Sequence, residues 1–152
     1  MDKKDNEILK SMMKLKTNNL NVIAGKVELS PSSVQKRIKK LEDEKIITGF
    51  IPQLNEDVMP EQLTAISMIR AKYEPEYSDK VGHEISQIDG VCSVYYVLGD
   101  YDFIAIIKSR NRKELELTIK QISAVRNVER SNTITVLSTL LEDPTLFYRL
   151  DD

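Results

Sequence analysis

The chain has 152 residues, 41% hydrophobic and 30% charged, with a formal net charge of −2. That length holds one medium domain or two small ones, and no apolar run approaches the roughly 20 residues of a membrane-spanning helix. With Cys92 its only cysteine and His83 its only histidine, the chain can form neither an internal disulfide nor a structural zinc site of its own. The polar N-terminus lacks the apolar core of a signal peptide, so an intracellular, cytoplasmic protein is expected, with no membrane partner. The negative charge is uneven. Residues 1–60 hold 11 Lys/Arg against 9 Asp/Glu, and residues 61–152 hold 11 against 15.

Residues 2–16 predict a first helix, with Ile8, Met12 and Leu15 at i, i+4, i+7 and acids near its start, where they suit the helix dipole. Asn18 and Asn19 interrupt it. Leu20, Ile23, Ala24 and Val27 predict a short second helix, ended by Val27-Glu28-Leu29. Ser30 is then a helix N-cap and Pro31 the first helical residue. Val34, Ile38 and Leu41 make a narrow apolar stripe on a third helix that runs to about residue 44. Its other face carries Ser32, Ser33, Gln35, Lys36, Lys39 and Lys40, with Arg37 at the border. Ser30–Leu41 thus holds four cations and no acid, the composition of a helix that enters a phosphate-lined groove. Two short helices with a tight turn between them, the second basic, predict a helix-turn-helix bound to double-stranded DNA. A merely solvated basic face is the alternative.

Ile46–Leu54 is β-rich but interrupted by Gly49 and Pro52, and predicts an edge strand acting as wing or linker. Asn55–Gln62 marks a boundary, giving a DNA-binding domain over 1–60 and a second domain over 61–152. In the second domain, strands are expected over 63–73, 91–98, 103–108 and 132–141, with a tail from Asp143. A helix is expected over 78–88 with Val81, Ile85 and Ile88 inward. Another follows Asn111 with Leu115, Ile119 and Ile122 inward, and Glu114 suggests a capping box. Ile85-Ser-Gln-Ile88-Asp-Gly90-Val91 and Ile122-Ser-Ala-Val125-Arg-Asn127-Val128 form a faint repeat, each where a helix enters a strand. The order is βαββαβ, a ferredoxin-like fold, so the whole chain reads as α+β. Such a sheet is covered by helices on one face only. The 103–107 strand is apolar at both parities, so the other face is expected to meet a second copy in a two-fold dimer. Tracing strand directions brings the 74–78 link, the Gly99-Asp100-Tyr101-Asp102 turn and the 126–131 loop to one rim.

The full chain resembles the Lrp/AsnC, or feast/famine, family of transcription regulators. The residues that carry the likeness are the Asp-x-x-Asp-like start with Ile8-Leu9, Ser30–Leu41 with Glu42, and Ile46-Ile47-x-Gly49-Phe50. In the second half they are Gly90-Val91 and Gly99-Asp100-Tyr101-Asp102-Phe103. The resemblance implies a winged helix-turn-helix joined to an effector-binding ferredoxin-like domain, in dimers that assemble into larger even-numbered oligomers and respond to amino acids or related small molecules. Two positions depart from the pattern: Glu28 and Lys45 stand where the family usually has glycine.

The base-edge candidates are Ser32, Ser33, Gln35 and Lys36, because such a helix enters the groove by its N-terminal end. Arg37, Lys39 and Lys40 are candidates for phosphate, and Arg37 is equally placed to pair with an acid at the core border. The resemblance makes Gly99, Asp100, Tyr101 and Asp102 an effector site, with turn amides for a carboxylate and a carboxylate for an ammonium. Ser131, Asn132 and Thr133 would add hydrogen bonds from the same rim, and Tyr77 an apolar wall. Without the resemblance the turn is an ordinary hairpin. His83 is expected at the surface and Cys92 buried in the sheet. No catalytic set and no cofactor or metal site is expected. Two other functions fit less of the sequence: an architectural DNA-binding protein with broad sequence tolerance, and an amino-acid-sensing regulatory subunit of a metabolic enzyme.

Overall fold

The computed structural model describes residues 1–55, 58–72, 77–143, 145 and 150, the side chain of Tyr77 excepted. It divides into two compact units, Met1–Leu54 with Leu141–Asp152, and Asn55–Leu140.

Among the described residues the first unit contains three α-helices, α1 (Lys3–Leu15), α2 (Leu20–Val27) and α3 (Pro31–Asp43). Each starts on a side-chain cap of the kind its sequence offers. Asp2 and Asp5 form a reciprocal capping box on α1, Asn19 caps α2, and Ser30 caps α3 ahead of Pro31. The apolar stripes meet in one core of Ile8, Met12, Ile23, Ala24, Val27, Val34 and Ile38, and Leu41 is also fully buried. All three helices end on a non-glycine residue in the left-handed region: Lys16 at φ 51°, Glu28 at φ 56° and Lys45 at φ 57°. At Glu28 the motif closes with its own N–H and that of Leu29 both donating to the Ala24 carbonyl. The two departures from the family pattern therefore fall on positions where a glycine would relieve backbone strain.

Residues 46–54 form no strand. The composition favours one, but a strand needs a ladder partner, and no described residue pairs with this segment. Phe50, Ile51 and Leu54 consequently stay exposed.

The second unit is a four-stranded antiparallel sheet with two helices on one face. Its elements are β1 (Leu63–Ala71), α4 (Tyr77–Ser86), β2 (Val91–Tyr96), β3 (Phe103–Ser109), α5 (Arg112–Ala124) and β4 (Val128–Thr135). The strand order is β2-β3-β1-β4, the ferredoxin-like arrangement expected from the element order. Burial alternates along β1 from Thr64 onward and along all of β3. Ala65, Ile69, Ala71, Phe103, Ala105 and Ile107 face the helices and join Val81, Ile85, Leu115 and Ile122 in the core. The internal repeat is a repeat of geometry. Gly90 at φ 86° and Asn127 at φ 70° occupy the same left-handed position. The hydrogen bonds around them match, Ile88 N–H to Ile85 O and Val91 N–H to Ile88 O, against Val125 N–H to Ile122 O and Val128 N–H to Val125 O.

Three local expectations need correction. The last strand begins at Val128 and ends at Thr135, so residues 128–131 are ladder rather than loop. Cys92 is exposed, because a bulge between Val91 and Ser93 displaces it from the sheet alternation; its thiol donates to the Ile106 carbonyl at 3.3 Å. Glu114 does not close a box on Asn111: its carboxylate accepts from the Arg110 N–H one residue earlier, at 3.0 Å, while Asn111 Oδ1 accepts from Glu114 N–H.

Candidate DNA-binding helix and ligand-binding loop

Burial of Val34, Ile38 and Leu41 fixes the roll of α3, which leaves Ser32, Gln35, Lys36, Lys39 and Lys40 exposed and Ser33 half-exposed. Ser32, Gln35, Lys36 and Lys39, together with Glu42 and Leu20 of α2, line one shallow depression on this face. At the helix start the Ser30 hydroxyl hydrogen-bonds to those of Ser32 at 3.1 Å and Ser33 at 2.8 Å, and Ser30 Oγ accepts from Ser33 N–H at 3.2 Å. Small hydroxyl donors are thus gathered where a groove-bound helix meets base edges.

The cations divide into two groups. Lys36 makes no ion pair among the described residues. Lys39 pairs with Asp43 at 2.7 Å, an i,i+4 contact with both partners well exposed, and that hydrogen bond raises its pKa. Arg37 and Lys40 instead reach back to α1. Arg37 Nη1 donates to Asp2 Oδ2 and to Asp5 Oδ1, both at 2.7 Å, and Lys40 Nζ donates to Asp5 Oδ2 at 3.2 Å. The Asp5 side chain has no exposed surface. Burial pushes its carboxyl up, but hydrogen bonds from the Asp2 N–H, Arg37 and Lys40 outweigh that and hold it at about 2. Arg37 therefore takes the acid-pairing role of its two sequence alternatives, and Lys40 shares it.

In the second unit the Gly99–Asp102 residues sit in the loop between β2 and β3. Val97 N–H donates to the Asp102 carbonyl and Asp102 N–H to the Ile69 carbonyl, both at 2.9 Å, which ties the loop to the end of β1. Gly99 lies at φ 151° with open space where a side chain would stand, so backbone conformation rather than crowding favours glycine there. Asp102 Oδ2 accepts the Ala71 N–H at 2.8 Å, so this carboxylate braces the loop. Asp100 projects from the loop tip, exposed, and Tyr101 is half-buried. Arg70, absent from the sequence candidates, donates from Nε at 3.0 Å and Nη2 at 2.5 Å to the Asp100 carbonyl. Its signal was the parity of β1: it follows Ile66 and Met68 on the face without helices.

The side chains of the three β4 candidates do not share one face. Ser131 faces α5, with its hydroxyl 3.2 Å from that of Ser123, and Thr133 donates to the buried Ser67 hydroxyl at 3.0 Å. Asn132 points to the opposite, helix-free face, opposite Met68. They lie inside the ladder because β4 starts at Val128, and neighbouring residues of a strand point to opposite sides. The backbone of Tyr77 opens α4, and its side chain lies outside the described residues. His83 is exposed, as expected.

These features define a helix-turn-helix unit with a basic reading helix, joined to a ferredoxin-like α/β unit with a braced loop at one end of its sheet. The winged helix-turn-helix DNA-binding family matches residues 1–48, and the Lrp/AsnC ligand binding domain matches residues 64–146. The chain belongs to the Lrp/AsnC family of transcriptional regulators. It is 33% identical over 143 residues to the uncharacterised HTH-type transcriptional regulator PH1692 of Pyrococcus horikoshii, covering 94% of this chain and 95% of that one. Its fold matches an AsnC family regulator from Agrobacterium tumefaciens with a TM-score of 0.81 at 21% identity, over 95% of both chains. It also matches the regulator NMB0573 of Neisseria meningitidis, solved as a complex with L-Met, with a TM-score of 0.81 at 18% identity over 95% of both chains. The protein is thus a DNA-binding transcriptional regulator with a ligand-binding domain, and not an enzyme. None of the described helices is long and apolar enough to cross a membrane.

Proposed function

We propose that α3 reads double-stranded DNA through Ser32, Ser33, Gln35 and Lys36, with Lys39 on phosphate, and that Arg37 and Lys40 hold the helix in place on α1. The observation behind this division is the ion pairing: Arg37 and Lys40 converge on the buried Asp5, and Lys36 does not. A cation already committed to a buried carboxylate adds little to phosphate binding, because leaving that carboxylate unpaired is costly.

We further propose that an amino acid binds at the Gly99–Asp102 loop. Its ammonium is taken by the exposed Asp100 carboxylate and its carboxylate by loop amides, while Asp102 keeps its bond to Ala71. The complex of NMB0573 with L-Met supports an amino acid as the class of ligand. The helix-free sheet face, where Ile66, Met68, Ile104, Ile106 and Ile134 align across β3, β1 and β4, serves as a two-fold dimer interface. Dimers assemble into a larger even-numbered oligomer, in the cytoplasm, and ligand binding redistributes the assemblies by its difference in affinity between them. A thermal-shift screen of the amino acids, followed by gel shifts and light scattering with the best hit, tests this reading. A regulator of this kind changes both oligomer distribution and DNA affinity; indifference to every amino acid removes the sensor.

A further inference from the structure

The helix-free face of the sheet carries an unusual juxtaposition at its loop end. Arg70 of β1 and Arg130 of β4 are register partners, Cα opposite Cα, with side chains on the same face. Like charges directly opposite on antiparallel strands repel, and sequences ordinarily avoid the arrangement. Among the described residues no carboxylate pairs with either guanidinium. Arg70 is fixed toward the loop by its two hydrogen bonds to the Asp100 carbonyl. Arg130 makes no ion pair among the described residues, with neighbouring Glu129 included. No other acid occurs in the four strands. Asn132, two residues along β4, adds an amide on the same side. A second copy packed by the same face offers no strand carboxylate to neutralise the pair.

We propose that Arg70 and Arg130 form an anion subsite next to the Gly99–Asp102 loop, and that the effector is a small molecule with a second carboxylate, such as an acidic amino acid. The inference rests on the effector reading above and narrows it. A guanidinium has five donors, and Arg70 uses two on the Asp100 carbonyl, so three remain for a ligand. The loop amides and Asp100 serve the α-carboxylate and ammonium common to all amino acids, whereas the arginine pair serves the group that distinguishes one from another. Two guanidinium groups suit a carboxylate better than any neutral side chain.

Thermal shift and calorimetry with glutamate against glutamine, and aspartate against asparagine, separate charge from size. Wild type is compared with Arg130→Gln, at an edge-strand position exposed in the single protomer, and with Arg130→Lys. The expected result is stabilisation by glutamate or aspartate well beyond the matched amide. In Arg130→Gln the affinity should fall roughly tenfold or more, with partial recovery in Arg130→Lys. The unliganded Arg130→Gln protein should be as stable as wild type or more so, since a repulsion is removed. A neutral amino acid that binds equally well to wild type and Arg130→Gln overturns the anion subsite and leaves the sensor reading standing. Failure of every amino acid, acidic ones included, overturns both. Inorganic phosphate runs as a parallel arm: stabilisation by phosphate but by no dicarboxylate would identify a phosphate site and overturn the proposed effector class.

Discussion

The ion cluster that fastens α3 to α1 predicts what happens when Asp5 is changed to Asn. Asp5 has no exposed side-chain surface and accepts from Arg37, Lys40 and the Asp2 N–H. Orphaning a buried charge by removing its partner typically costs about 3–5 kcal/mol. The cations left behind here are not buried: the Arg37 and Lys40 side chains are 31% and 47% exposed. They turn to water, Asp2 and Glu44, so the cost is smaller. Lowering the Asp5 carboxyl from 3.8 to about 2 converts at face value to ~2.4 kcal/mol, and solvent screening of the half-exposed partners reduces this to about 1–1.5 kcal/mol. Asp5→Asn should therefore destabilise the helical unit by about 1–3 kcal/mol near neutral pH. The pH dependence has a definite direction. A carboxyl whose pKa is depressed on folding contributes fully above its unfolded value of 3.8, and the contribution fades as pH falls toward about 2. Urea denaturation followed by circular dichroism, at neutral pH and near pH 2, measures both. Equal stability of the two proteins at neutral pH, or a difference that persists undiminished near pH 2, would refute the reasoning.

Other consequences are open to direct test. Glu28→Gly and Lys45→Gly should each stabilise the helical unit by about 0.5–1 kcal/mol, because both residues hold left-handed φ values; denaturation midpoints decide this. Ile106→Asp should yield folded monomers by light scattering, since Ile106 lies on the helix-free face. Ile107→Asp, one residue on, should abolish folding of the second unit, since Ile107 is fully buried. Asp102→Asn keeps an acceptor for the Ala71 N–H and should preserve both the fold and the ligand response, whereas Asp102→Ala leaves that N–H unpaired and should cost about 1–3 kcal/mol.

Much of this architecture was legible from local pattern. Ser30-Pro31 and the Val34/Ile38/Leu41 stripe determine where α3 starts and which face it buries, and both are properties of neighbouring residues. The alternation of β1 and β3 and the paired Ile85–Val91 and Ile122–Val128 segments define the ferredoxin-like order in the same way. What escaped was set by partners far away in sequence. Residues 46–54 have strand composition but no strand to pair with. Val128–Ser131 has two charges in four residues and reads as a loop, yet β1 supplies a ladder for it. Arg37 and Asp5 are 32 residues apart, so their pairing depends on how α1 docks on α3. Arg70 and Arg130 become neighbours only through the β1–β4 register, which also turns Ser131 and Thr133 to the face opposite Asn132.

The most direct test of how this regulator holds DNA is the salt dependence of affinity for a bound genomic fragment, in wild type, in Lys36→Ala/Lys39→Ala and in Lys40→Ala. Each phosphate contact contributes about 0.9 to the slope of log affinity against log salt. The slope should be shallower by up to about 2 in the double variant. Lys40→Ala, which removes a cation held on Asp5, should change it little. An unchanged slope in the double variant, or an equal loss from Lys40→Ala alone, would contradict this division of the cations.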